Sequence, residues 1–405
     1  MLAPRKYSRI LSYIVGWLVS AGYFFWTAAT FLIASQLTWA FVQICNPTFV
    51  VQPWHYYLAY VAFGGFSLLL NIPLFKWYPY LLKGLVFYIN AGALFILIAL
   101  LVRSHPKQNA EYVFVDIVNL TGWSSNGIVF FLGLLPGLTA VNGFDCAAHL
   151  AEEVPNPSRQ IPQVMMLSAI ASAIGGVVMI LVYMFCITNP ANLLTPVGGQ
   201  PIAQLMLDSL DSLPLTLAGV LVFIVAFAFA SATMLTTWGR VWWSFARENG
   251  VPFSSLQSRI NDRWQVPVNA ILVAFLACIL IGLLELGSQT ALNAILGGST
   301  LCIFSSYSIP VACLLMNNRQ NFSTKHYFDL GRVFGLVLNT ISLTWMTFVF
   351  VWLCFPLYLP VTLSTMNWAA VVFFGILFLS TVNWFAHSRR EFKVPVAIEF
   401  VGVEM

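Results

Sequence analysis

The stretch "FLGLLPGLTAVNGFDCAAHLAEEVPNPSRQIP", residues 131–162, begins as an apolar run suited to lipid. It then carries one bare carboxylate, Asp145, and ends as a charged, proline-rich loop. What solvent surrounds that carboxylate decides the fold. Of the 405 residues, 60% are hydrophobic and only 8% charged, with a mean hydropathy of +0.84. Ordinary soluble domains carry roughly 25% charged residues. So few charges cannot cover a water-facing surface, and the chain reads as an all-α polytopic membrane protein, a single transmembrane domain over residues 1–405.

Crossing the hydrocarbon core takes about 20 apolar residues. Runs of that quality lie near 10–43, 53–73, 84–102, 126–151, 164–187, 213–239, 266–286, 291–316, 333–358 and 368–386. The first is too long for an upright helix and too short for two, so it is expected as one tilted helix with a protruding end. With the N-terminus cytoplasmic, 16 of the 18 Lys and Arg residues fall on inner segments, and only Arg103 and Lys107 lie outside. That asymmetry is the one cytoplasmic loops carry. It predicts ten spans, both termini cytoplasmic, in the plasma membrane.

On this map Asp145 is the one acidic residue well within a span, while Glu285 is expected at a water-accessible outer end. A charge near the bilayer centre costs about 2.5–3.5 kcal/mol even on a lenient scale, so Asp145 should face a cavity or a partner. Pro136 lacks an amide hydrogen and disrupts a helix, and Gly137 and Gly143 permit unusual backbone angles. Freed backbone groups are tolerated in lipid only where they are buried in protein or line a cavity. A helix broken between Gly137 and Asp145 is therefore expected, with Asp145 either facing a ligand or capping the second half-helix, where Asp is common.

Beyond the break, His149, Glu152 and Glu153 stand at metal-like spacing, but the order is not H-E-x-x-H and no second ligand cluster accompanies them. No metal or cofactor is expected. Glu152, Glu153 and Arg159 read instead as a charge cluster of a cytoplasmic loop. The seven cysteines are scattered through apolar runs without a C-x-x-C pair, so neither a disulfide framework nor a metal site is suggested. A net charge of +4 is explained by orientation in the membrane, with no nucleic-acid partner. A membrane enzyme would need several convergent catalytic side chains, and the spans offer one Asp.

"NGFDCAAHLAEEVPNPSRQIPQVM" (residues 142–165) resembles the sixth-helix signature of the amino acid–polyamine–organocation permeases, closest to the fungal amino acid/choline branch. "GRVWWSFARENGVPFSSLQSRINDRWQVPVNAI" (residues 239–271) resembles the segment joining that family's eighth and ninth helices, and "YSRILSYIVGW" (residues 7–17) the start of its third. The resemblance implies an inverted-repeat fold with substrate between two broken helices. The ten spans would correspond to family helices three to twelve.

By the same resemblance, Asn142, Gly143, Phe144 and Asp145 would line the substrate pocket, with Phe144 a gate. Ser231 and Thr233 would lie near an ion site, and the polar stretch Ser305–Ser308 could contribute to the pathway. The implied function is secondary transport of an amino acid or related amine such as GABA or choline, with protons as the coupling ion. Since family helices one and two have no counterpart in the sequence as it stands, the competing expectation is a fragment without transport activity.

Overall fold

The computed structural model describes residues 2–4, 6–134, 137–138, 141–287, 290–317, 330–362 and 365–394, without the side chains of 152–153 and 290–296. The principal α-helices are α1 (Ser8–Cys45), α2 (Pro53–Asn71), α3 (Tyr78–Arg103), α4 (Asn126–Leu132), α5 (Pro157–Cys186) and α6 (Pro201–Leu210). They continue as α7 (Leu213–Arg247), α8 (Val268–Gly282), α9 (Thr290–Met316), α10 (Arg332–Leu353) and α11 (Ala369–Asn383). Among the described residues there is no strand, and eight helices are long and apolar enough to cross a membrane.

The first apolar run is one continuous helix of 38 residues, roughly 57 Å long at 1.5 Å per residue. Its sequence explains its place at the centre. Ser20, Ala21, Ala28, Ala29, Ala34, Ser35 and Ala40 are all buried, and small residues let neighbouring helices approach closely where lipid supplies no hydrophobic drive. α7 packs along one side, with Phe24 on Trp238 at 4.9 Å between ring centroids. α9 and α11 lie on another, where Leu18, Ala21 and Phe25 share a buried cluster with Leu301, Cys302, Ala369 and Phe373.

A buried polar contact fixes α2 and α3 to α7. The Thr236 hydroxyl donates to Asn71 Oδ1 at 2.6 Å and lies 3.0 Å from the Tyr78 hydroxyl. Asn71 Nδ2 in turn donates to the Ala232 carbonyl at 3.0 Å. At one end of the bundle the two chain ends meet, because Arg9 Nε donates to the Phe392 carbonyl at 3.1 Å. We call this the terminal face.

At the other end, glutamines of α1 hold the loop between α5 and α6. Gly198 N–H donates to Gln43 Oε1 at 2.9 Å, and Gln200 Nε2 to Gln36 Oε1 at 2.5 Å. Gly198 has φ +60°, and a Cβ there would lie 2.6 Å from the backbone of Ala40. Gly199, at φ +72°, faces open space. Left-handed backbone costs an L-residue about 1–2 kcal/mol, and a clash with fixed backbone adds to it. Gly198→Ala should therefore destabilise the purified protein by about 3 kcal/mol, and Gly199→Ala by about 1 kcal/mol. Denaturant unfolding in detergent micelles compares the two; equal losses would contradict the close packing of the loop on α1.

Candidate functional site

The run near 126–151 does not form one helix. α4 stops at Leu132, and the next long regular element is a 3₁₀ helix, Phe144–Glu153. Gly143 stands at its N-cap position with φ +91°, a left-handed geometry that favours glycine. Gly137 and Leu138 are helical, so the described non-helical residues directly before the 3₁₀ helix are 141–143; the Cβ direction of Gly137 is open. Pro136 lies outside the described residues.

Asp145 sits in the first turn of the 3₁₀ helix and is 5% exposed. The expectation that it could cap this half-helix is corrected by the geometry: no side chain caps it, and the carboxylate turns toward other helices. Its Oδ2 accepts from the hydroxyl of Tyr23, on α1, at 2.5 Å and from the hydroxyl of Tyr307, on α9. His149 Nε2, one turn further on, lies 3.7 Å from the same oxygen. The His149 and Tyr23 rings meet edge-on at 5.1 Å. Three elements thus converge on one carboxylate oxygen. Hydrogen bonds to an ionised acceptor are roughly twice as strong as neutral ones, and in lipid they replace the hydration that the carboxylate has lost.

The pocket residues expected beside Asp145 share its neighbourhood. Gly143 faces the Met234 methyl of α7, which a Cβ would approach to 3.8 Å. Asn142 Nδ2 is buried and, among the described residues, has no hydrogen-bond partner. A buried donor without a partner costs about 1–3 kcal/mol. Phe144 is half-buried.

Two cavities of about 510 Å³ each lie toward the terminal face and share His149, Val241 and Ser244 in their walls. The first also takes in Ser12, Phe245, Glu248, Cys313 and Phe392; the second takes in Phe75, Arg240 and Arg247. Arg240 is 4% exposed, its guanidinium 4.8 Å from the Phe75 ring.

Other expected residues lie elsewhere. The Ser231 and Thr233 hydroxyls donate to the carbonyls of Phe227 and Ala230 of their own helix, at 2.7 and 2.8 Å. Arg159 is exposed in the first turn of α5, and the side chains of Glu152 and Glu153 lie outside the described residues. Glu285 is not at a water-accessible end as expected. It is 8% exposed, in the short 3₁₀ turn Leu283–Leu286, because that turn folds back against α2. Among the described residues no group of three or more His, Cys, Asp and Glu could hold a metal ion.

Tyr23 is the site residue that the sequence did not single out. Nothing local distinguishes it from the other 13 tyrosines, since its partner is 122 residues away. Tyr307 belongs to the polar stretch already noted on α9.

Residues 3–377 match the amino acid permease family. The chain is 33% identical over 395 residues to a choline transporter of Saccharomyces cerevisiae, covering 96% of this chain and 69% of the relative. It is 29% identical over 402 residues to amino-acid permease 2 of Neurospora crassa, covering 98% and 72%. A polyamine transporter of Saccharomyces cerevisiae is 28% identical over 411 residues, covering 98% and 65%.

If the carboxylate holds α1 and α9 to the break, Tyr23→Phe and Asp145→Ala should not be additive. A double-mutant cycle on the unfolding free energy should give a coupling of about 1–3 kcal/mol. A coupling within error of zero would show that the contact contributes nothing to holding the helices together.

Proposed function

Starting from a chain that belongs to the amino acid permease family, and is thus a multi-pass membrane transporter and not an enzyme, we propose that it carries a small amino acid or amine. GABA-like and choline-type molecules are the leading cargoes, and we propose protons as the coupling ion. The single observation that carries this reading is the buried Asp145 at a broken helix, clamped by Tyr23 and Tyr307 and separated from two cavities by His149. A carboxylate in a low-dielectric site favours a positive ligand end, which amino acids, polyamines and choline all have.

The residues divide the work. Asp145 supplies the negative field. Asn142 Nδ2 donates to the polar end of the cargo, a carboxylate or a hydroxyl, and backbone freed around Gly143 follows it. Phe144 covers the bound molecule. The relatives named as choline, amino-acid and polyamine carriers support the cargo class.

Proton coupling follows from the same contacts. A proton reaching His149 from either cavity stands 3.7 Å from Asp145 Oδ2. Once the carboxyl is neutral, the bonds from Tyr23 and Tyr307 lose their charge assistance, and the hold of α1 and α9 on the break weakens. Protonation thereby biases a two-state element, which is what coupling requires. Ser231 and Thr233 act as helix-packing hydroxyls in this scheme. We propose that both termini are cytoplasmic, on the strength of the Lys and Arg distribution, and that the membrane is the plasma membrane. Glu152, Glu153 and Arg159 then belong to a cytoplasmic loop.

The test is uptake of labelled GABA, choline, putrescine and a panel of amino acids in a host deficient in these permeases. The chain and the longest open reading frame containing it are measured side by side. Asp145→Asn should lower uptake by about 100-fold at unchanged surface protein, while His149→Gln should flatten the pH dependence. Full uptake by Asp145→Asn would remove Asp145 from the mechanism, and uptake that persists when the proton gradient is collapsed would remove the proton.

A further inference from the structure

The last long helix does not end where its apolar run ends. After Asn383 the backbone widens into a π-turn, Trp384–Ser388. One further turn, Arg389–Glu391, leads to an extended Phe392. This detour carries the chain back across the first turns of α1 and the end of α7. Arg9 is its anchor: Nε donates to the Phe392 carbonyl at 3.1 Å and Nη2 to the Ser388 carbonyl at 3.4 Å, with the guanidinium 5.5 Å from the Trp384 ring. A cation is favourable at the carbonyl end of a helix.

Asn383 Nδ2 adds contacts to the Tyr13 hydroxyl at 2.9 Å, Ser388 Oγ at 3.0 Å and the Gly250 carbonyl at 3.1 Å. Lys393 N–H closes the circuit on the Glu248 carbonyl at 2.9 Å. Phe392 is 4% exposed and packs edge-on against Tyr13 and Phe245, at 5.5 and 6.0 Å.

Phe392 is also part of the wall of the first cavity. That cavity extends along three helices, from Val19 to Leu11 on α1, from Val241 to Glu248 on α7, and from Ile309 to Cys313 on α9. All three directions lead from the level of His149 toward the terminal face. Phe392 therefore stands at the end of the cavity remote from Asp145, in the same wall as Leu2 and Ala3. What holds it there is Arg9, Asn383, the Ser388 hydroxyl on the carbonyls of Asn249 and Gly250 at 3.4 Å, the Lys393 backbone bond, and the packing of Phe392 against Tyr13 and Phe245. Each of these hydrogen bonds is modest in net terms and none belongs to the ladders of α1 or α7, so this segment can open without unfolding the helices beneath it.

We infer that residues 384–393 form a strap over the terminal-face end of the first cavity, and that its release from Arg9 opens the passage. The role in cargo passage rests on the transport reading above; the closure itself does not. The native Cys313, 5% exposed in the cavity wall, reports on it. In a variant that keeps only this cysteine, purified in detergent, Arg9→Ala and Phe392→Ala should each raise the rate of maleimide labelling about tenfold. Arg9→Lys should fall between, and thermal unfolding of the variants should show an intact fold.

A second arm locks the strap. Glu248→Cys with Lys393→Cys, in a background without other cysteines, should lose uptake on oxidation and regain it with reductant. An unchanged Cys313 labelling rate in folded Arg9→Ala and Phe392→Ala, or full uptake by the oxidised pair, would overturn the strap. If the reduced pair carries none of the tested amines or amino acids, the transport reading fails, while the labelling arm still decides whether the strap closes the cavity.

Discussion

The structure depends on satisfying one carboxylate in the absence of bulk water. A buried anion must collect donors or neutralise, and Asp145 collects them from α1 and α9 at one oxygen. A continuous helix would keep its backbone donors for its own carbonyls and leave the carboxylate to lipid or to a chance neighbour. With helical backbone interrupted at residues 141–143, the segment can turn Asp145 inward. The break and the clamp are therefore parts of one solution: glycine geometry at Gly143 aims the carboxylate, and two tyrosines remove the cost of having it there.

That solution joins parts of the chain distant in sequence. Tyr23, Asp145 and Tyr307 come from three separate elements, and each hydroxyl is held by a helix with its own packing. Tyr23 is fully buried and belongs to the same hydrophobic cluster as Trp238 and Ile303. A change in the protonation of Asp145 thus reaches α7 and α9 through rigid contacts. His149, within 3.7 Å of the carboxylate, lines both cavities and so stands between them and the clamp. Coupling of this kind needs no long wire, only a shared anchor with two states of different strength.

The turn before Asp145 sits where glycine freedom is legible in the sequence, at Gly143, whereas Gly137 is helical and Pro136 lies outside the described residues. The partners of Asp145 were not legible. A hydroxyl donor is one group on a common residue type, and which tyrosine supplies it depends on how two distant helices cross. The same limit explains Glu285. A carboxylate near a span's end reads as water-accessible, but whether its turn folds against α2 is decided by tertiary packing. Ser231 and Thr233 show the reverse case, where hydroxyls that could face a ligand bond to their own backbone, as such residues commonly do within helices.

Hydropathy locates helices in such a chain, but the two least apolar windows are the two most buried. The α5 window has a mean hydropathy of 2.4 and none of it is buried, whereas α1, at 1.5, has 78% of its window buried; the next lowest, in α9 at 1.6, has 44%. In water the most apolar helix would be the core. In lipid, apolar side chains gain little by leaving one hydrocarbon environment for another, so the inner helices are those with small residues for close approach and polar groups that need partners. α1 has both, in its alanines and serines and in Tyr13, Tyr23 and Gln36. The two least apolar of these windows are the ones that deliver Tyr23 and Tyr307 to Asp145, because the sequence features that place a helix inside are the same ones that let it hold a charge.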